Sequence, residues 1–221
     1  MHNDFALIAI ISFATLLPFL VASGTCYIKF SIVFNIVRNA LGLQQVPSNM
    51  VLNAVALMLS CYIMMPIGQE MYNTYQQQNV SLDSAQSIVN FIDQGTDGYR
   101  SYLQKYSDPD LVAFFEKAAG QRPEGAAAAN ADDGDVRPSI MTLLPAYALS
   151  EIKSAFTIGF YIYLPFVVVD LVISSILLSL GMMMMSPVTI SVPVKLVLFV
   201  AMDGWGLLSR GLVQQYLSIH H

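Results

Sequence analysis

Few residues of this 221-residue chain have types and spacing that suit catalysis. The three histidines, His2, His220 and His221, lie at the chain ends, where a preorganised general base is not expected. No HExxH, P-loop, GxGxxG or GxSxG pattern occurs. Cys26 and Cys61 lie in apolar runs whose spacing matches no zinc or redox motif, so we interpret both as apolar side chains. The sequence therefore predicts no enzyme: no catalytic residue, no cofactor and no metal site.

Three ionisable residues stand out because they lie in or beside apolar segments. Asp170 is preceded by Phe166–Val169 and followed by Leu171–Ile173. A carboxylate in such a segment is costly and should face protein, water or a cationic partner. Lys195 and Glu151 are candidates for the same kind of buried pairing. We interpret all three as structural charges that pair within or between subunits, and a proton relay or ion path is the alternative.

A run of four methionines is the other unusual feature (Met182, Met183, Met184 and Met185). Gly181 precedes the run and Ser186-Pro187 follows it, which is typical of a turn between two helices. Methionine is long, unbranched and flexible, so a cluster of methionines can conform to irregular shapes. Chemistry alone favours side chains that fill a helix end or contact lipid, and it leaves a gate or seal as the alternative.

Composition indicates that these residues belong to a membrane protein. Hydrophobic residues make up 55% of the chain and charged residues only 11%, against a usual charged share of about 25%. Four long apolar runs are present, at Phe5–Ile28, Met50–Ile67, Phe156–Leu180 and Val188–Leu208. A helix over the first run would be about 36 Å long, enough to cross a hydrocarbon core of about 30 Å. We predict an all-α protein in which these four long apolar helices form membrane-associated hairpins.

The runs divide the chain into three predicted regions. A first apolar hairpin covers 1–69, and a second hairpin with the methionine loop at 182–185 covers 139–221. Between them, 70–138 is predicted to be a small helical periplasmic insertion whose Pro-, Gly-, Ala- and acid-rich end, 121–138, is a flexible linker.

The distribution of basic residues predicts the orientation. The loop between the first two apolar helices carries Lys29 and Arg38 and no acid, so we expect it to be cytoplasmic. The stretch Glu70–Lys153 holds 12 acids and 6 bases, so we expect it to be periplasmic. The start, Met1–Asp4, lacks the positive region of a signal peptide, so we expect the first helix to be retained.

The insertion is predicted to contain three short helices. Apolar residues recur at helical spacing in Leu82–Ile92, and tyrosines do so in Tyr99–Tyr106. Asp108-Pro109 supplies an N-cap and a first-turn proline for a third helix, which Gly120 ends.

Several long stretches together resemble one known family. They are Thr25–Val33, Arg38–Asn49, Leu143–Lys153, Tyr163–Val172, Met182–Ile190, Lys195–Val200 and Asp203–Trp205. In these stretches the chain is similar to the FliP/SctR family of type III secretion and flagellar export gates, on the injectisome branch. The resemblance covers nearly the whole chain and is looser over 70–138.

The resemblance implies an assembly, a location and a mechanism. Family members form a ring of five copies joined by SctS- and SctT-type subunits, and an SctU-type protein docks on the ring. The resemblance implies a multi-pass subunit of the bacterial inner membrane, in contact with the lipid bilayer. It also implies that part of the assembled complex is raised above the bilayer plane. The family's methionine loop, here Met182–Met185, forms a gasket around a channel for unfolded secreted polypeptides. Glu151 and Lys195 resemble the family's structural charge positions.

Two other classes of function compete with this interpretation. A small transporter or ion channel would use Asp170 as its coupling residue, but the two hairpins show no obvious internal repeat. A structural anchor would use the helices of the insertion to bind a partner, and it gives the methionine run no role. Nucleic acid is not an expected partner because the formal net charge is −5.

Overall fold

The computed structural model of the chain describes residues 11, 15, 18–19, 21–77, 97–120, 138–182 and 184–217. Every regular element among these residues is a helix, which confirms the predicted all-α class. Seven helices have defined bounds: α1 (Tyr27–Ala40), α2 (Asn49–Gln77), α3 (Asp97–Tyr106), α4 (Pro109–Gly120), α5 (Ile140–Ser179), α6 (Pro187–Ala201) and α7 (Gly204–Leu217).

Contacts between residues divide the chain into two compact units. Unit 1 consists of 1–28 and 64–152, and unit 2 consists of 29–63 and 153–221. The first half of α2 and most of α5 belong to unit 2, together with α6 and α7. The three-region division predicted from the sequence remains a prediction.

Helix α1 corrects the predicted loop between the first two apolar helices. Phe30, Val33, Phe34 and Val37 recur at helical spacing and are all buried. The loop prediction relied on the charges and overlooked this periodicity. Gly42 ends the helix in the left-handed region, with a φ of 78°.

Two helices are long and apolar enough to cross a membrane. They are Asn49–Asn73, which lies within α2, and the 40-residue helix α5. Two of the predicted apolar helices therefore exist. Helix α5 begins well before the predicted start at Phe156, because Leu143, Ala146 and Tyr147 give its first turns a buried face.

The fourth apolar run is not one helix, and this part of the prediction was wrong. The run breaks at Met202–Asp203, where α6 and α7 meet at a bend of 59°. Asp203 has a φ of 51°, a left-handed conformation that interrupts the helix. If the bent pair counts as one span, the described residues hold up to three candidate spans.

The short helices of the insertion agree with the sequence where they are described. Helix α3 carries the tyrosines, and the backbone N–H of Asp110 donates to the Asp108 carboxylate at 3.1 Å at the start of α4. The predicted helix at Leu82–Ile92, half of the first apolar run and nearly all of the predicted linker lie outside the described residues.

Candidate functional site

The methionine run occupies a short turn between α5 and α6. Gly181, with a φ of 73°, donates its N–H to the carbonyl of Leu178 at 3.1 Å. The N–H of Met182 donates to the carbonyl of Leu177 at 3.0 Å. These two bonds form a Schellman motif, which satisfies the last carbonyls of α5. The α6 helix begins at once on the other side, with Ser186 as N-cap and a proline in its first turn.

The side chains of this turn are exposed in the isolated chain. Met184 is fully exposed, and Met182 and Met185 are 40% and 43% exposed. Met183 lies outside the described residues. The flanking Leu180 and Val188 are exposed as well, at 67% and 60%. The arrangement presents several flexible thioether side chains on a turn whose backbone is fixed at both ends.

Two of the three predicted charges meet in unit 2. The ammonium of Lys195, on α6, donates to the Asp170 carboxylate on α5 at 2.5 Å and to the carbonyl of Ala40 at 3.1 Å. The Lys195 side chain is 6% exposed, whereas that of Asp170 is 42% exposed. One buried cation thus connects α5, α6 and the end of α1, where its acceptor Ala40 lies two residues before Gly42. It anchors the middle of α6, the helix that follows the methionine turn.

The third charge, Glu151, belongs to unit 1 and lies in a different environment. Its side chain is 1% exposed on the first half of α5. Nearby, the hydroxyls of Tyr102 and Tyr147 share a hydrogen bond, and Tyr99 donates to the carbonyl of Gly24 at 2.8 Å. The structure therefore brings Asp170 and Lys195 together and places Glu151 beside a cluster of tyrosines.

Burial keeps these tyrosines protonated. It raises the pKa of Tyr99 from 10.0 to about 12. Burial also raises the pKa of Tyr102, and the charges of Cys26 and then Glu151 add to the shift in the same direction. Tyr99, as the donor to Gly24, and Tyr102, which shares its hydrogen bond with Tyr147, attach α3 to its neighbours in unit 1.

An aromatic network joins α1, α6 and α7 in unit 2. The Trp205 ring lies 6.0 Å from Phe34 and 5.3 Å from Phe199, both edge to face. Phe30 meets Tyr216 at 5.9 Å in the same geometry. These contacts hold α7 on α1 beyond the bend at Asp203.

Sequence reasoning missed two buried cations on α1. Lys29 is 4% exposed, and its ammonium lies 4.7 Å from the centre of the Tyr216 ring. Arg38 is 8% exposed, and its guanidinium donates to the carbonyl of Pro47 at 3.2 Å. The helical spacing of the apolar residues in α1 could have identified them, because it places both residues on a helix that packs against its neighbours.

Comparison with known proteins gives a consistent result. The model of the FliP family matches residues 10–212. "Surface presentation of antigens protein SpaP" of Salmonella typhi is 61% identical over 222 residues, covering 99% of each chain. "Yop proteins translocation protein R" of Yersinia pestis is 44% identical, covering 97% of each chain. "Hypersensitivity response secretion protein HrcR" of Ralstonia nicotianae is 41% identical, covering 96% of this chain and 98% of the relative.

Proposed function

This chain belongs to the FliP family, and on that premise we propose that it is a membrane subunit of the export gate of a type III secretion system. Relatives named for secretion and translocation match it over nearly their whole length, which supports this role. We place it in the bacterial inner membrane, with its first hairpin at 1–69, a periplasmic region at 70–138 and its second hairpin at 139–221. Its role is to form a passage and not to catalyse a reaction.

The proposed passage is built from several copies of the chain. Five copies form a ring with SctS- and SctT-type subunits, an SctU-type subunit docks on it, and each copy contributes Met182–Met185 to a ring at the channel axis. Because thioether side chains are flexible and apolar, the ring blocks ions and small solutes when the channel is empty. It deforms around an unfolded polypeptide during transport. Energy for transport comes from other components.

The exposed methionine turn is the observation that carries this mechanism. Met184 is fully exposed and no described residue covers it, although its side chain is large and apolar. The turn is nevertheless fixed by a Schellman motif on one side and a first-turn proline on the other. A rigid backbone that presents soft side chains fits a gasket better than it fits a helix end that only fills space.

The buried charges support the ring in a structural role. The Lys195–Asp170 pair attaches the middle of α6 to α5, so it fixes the helix that carries one end of the methionine turn. Because Asp170 already has a cationic partner, the pair supports packing over ion coupling by Asp170. We propose that Glu151, buried among the tyrosines of unit 1, has a related structural function.

Replacing Met182–Met185 by four alanines tests the gasket. We expect the closed channel to leak small solutes, because alanine cannot fill the axis, while the complex still assembles. The measurement is small-solute uptake by cells that carry the export complex without substrate, together with secretion of a reporter substrate. The mechanism is wrong if both leakage and secretion stay unchanged.

A matched control separates the effect of losing methionines in the turn from the effect of losing exposed methionines elsewhere in the chain. Met50, Met58, Met141 and Met202 are also exposed in the isolated chain, and their replacement by alanine changes the same number of atoms. We expect this variant to leave the closed channel tight. Native mass spectrometry in mild detergent tests the assembly itself, since a monomer that ignores the SctS- and SctT-type subunits would contradict the ring.

A further inference from the structure

We propose that the buried Arg38 guanidinium binds the phosphate of an anionic membrane lipid, whose acyl chain occupies the apolar pocket beside it. The Arg38 side chain ends at the loop between α1 and α2, next to the start of a candidate span. The proposal goes beyond the export role, because it assigns a lipid-binding site within a single subunit.

Arg38 has too few acceptors for a buried guanidinium. It is 8% exposed, and one of its terminal nitrogens donates to the carbonyl of Pro47 at 3.2 Å. Its Nε–H has no hydrogen-bond partner, and no ion pair forms with Arg38 among the described residues.

Capping of the loop explains only part of this arrangement. The carbonyl end of α1 carries partial negative charge, which favours a cation in its last turn. That interaction leaves the buried Nε–H without an acceptor, which is unfavourable for a donor removed from water. A phosphate supplies several acceptor oxygens to the guanidinium fork and would satisfy the Nε–H and a terminal nitrogen together.

An apolar pocket of about 240 Å³ lies next to the arginine. Phe34, one turn before Arg38 on α1, lines the pocket, and so does Pro47, which accepts the Arg38 hydrogen bond. Its other lining residues are Val51, Leu52, Val55, Trp205 and Ser209, none of them charged. Pro47 therefore belongs both to the pocket lining and to the Arg38 hydrogen bond.

The direction of the pocket favours a lipid over a protein carboxylate. Val51, Leu52 and Val55 belong to the first turns of the candidate span that begins at Asn49. The site thus offers a cation at the beginning of the span and apolar surface further along it, which is the order of groups in a phospholipid. Trp205 on its wall is the residue type enriched at membrane interfaces. Basic pockets between membrane helices bind lipid head groups in this way.

Lipid retention by the purified export complex tests the proposal. Complexes are reconstituted into nanodiscs of phosphatidylcholine, with or without phosphatidylglycerol, then released into mild detergent and analysed by native mass spectrometry. We expect wild type to retain phosphatidylglycerol in preference to phosphatidylcholine. Arg38→Gln should lower that retention about tenfold, which corresponds to the loss of one charge-assisted interaction. Arg210→Gln is the control, since this arginine is exposed.

A second variant tests the pocket while it keeps the cation. Val55→Phe fills part of the apolar pocket and should lower phosphatidylglycerol retention with Arg38 in place. If the Arg38→Gln complex fails to assemble, phosphatidylglycerol retention by the Val55→Phe complex decides whether the site binds lipid. Equal retention by wild type and the variants would overturn the proposal, and so would equal retention of the two lipids. Cross-linking of position 38 to a carboxylate of another subunit, with lipid retention unchanged, would assign the site to a protein partner.

Discussion

Two turns of unit 2 have the same backbone chemistry and opposite surroundings. After α1, Leu41-Gly42 ends the helix with Gly42 at a φ of 78°, and after α5, Leu180-Gly181 does so at 73°. Both glycines belong to a Schellman motif. In the first, the N–H of Leu43 donates to the backbone carbonyl of Arg38 at 3.2 Å, and in the second, the N–H of Met182 donates to the carbonyl of Leu177 at 3.0 Å. We call them the first turn and the methionine turn.

Their surroundings separate the two turns. Leu41 is fully buried, and a Cβ on Gly42 would lie 2.5 Å from a methyl of Val192. Leu180 is 67% exposed, and a Cβ on Gly181 would meet nothing within 4 Å. Two buried cations donate to carbonyls on either side of the first turn: Lys195 to that of Ala40, and Arg38 to that of Pro47.

The difference shows that capping stops a helix but does not decide whether a turn is packed. The first turn is held by tertiary contacts and serves as part of the scaffold. Among the described residues, the methionine turn has only its own backbone bonds and the following proline, so its side chains are exposed in the isolated chain. Such a division suits a gate, where the frame must keep its shape while the seal deforms.

The leucine pair gives the largest expected contrast. Leu41→Ala should lower the free energy of unfolding by about 3 kcal/mol, because it removes buried apolar atoms and leaves a cavity. Leu180→Ala should change it by less than about 0.5 kcal/mol, because that side chain is exposed. Thermal unfolding of the two purified variants in mild detergent measures the difference. Similar losses for both would mean that the two turns are equally packed.

The anchor of the first turn gives the next contrast. Lys195→Met should cost about 2–3 kcal/mol, because it leaves Asp170 and the carbonyl of Ala40 without their buried donor. Arg210→Gln breaks an exposed pair with Asp203 at 3.8 Å and should cost less than about 1 kcal/mol.

A double variant shows whether the Lys195 effect comes from the pair. Lys195→Met combined with Asp170→Asn should be more stable than Lys195→Met alone, because no unpaired carboxylate remains. The readout is the unfolding midpoint in mild detergent. An additive loss in the double variant would show that the two side chains act independently.

The sequence predicts the methionine turn better than the first turn, for a physical reason. Gly181 and Pro187 are local signals, and they bracket the turn without help from distant residues. Asp108-Pro109 likewise marks the start of α4. In the first turn, the partner of Ala40 is Lys195, which is 155 residues away along the chain. No local pattern reveals such a contact.

The wrong predictions have a similar origin. Lys29 and Arg38 indicated a loop because charges in a membrane protein usually lie outside the apolar helices. Here the Lys29 ammonium lies over a tyrosine ring and Arg38 donates to a backbone carbonyl, so both charges are accommodated inside the fold. The break at Asp203 depends on one residue with positive φ, although the Asp203-Gly204 dipeptide is a known turn signal that favoured a break.

Met184 gives the smallest expected effect on stability and the sharpest test of what the methionine turn is for. Its side chain is fully exposed in the isolated chain, so Met184→Ser should change the free energy of unfolding by less than about 0.5 kcal/mol. If the turn meets its copies at a channel axis, the same variant should still raise small-solute leakage through the empty complex, because serine is short and polar. Unfolding midpoint and solute uptake, measured on one variant, therefore separate folding from sealing. A stability loss comparable to that of Leu41→Ala would mean that the methionine turn is packed like the first turn, and the contrast between frame and seal would fail.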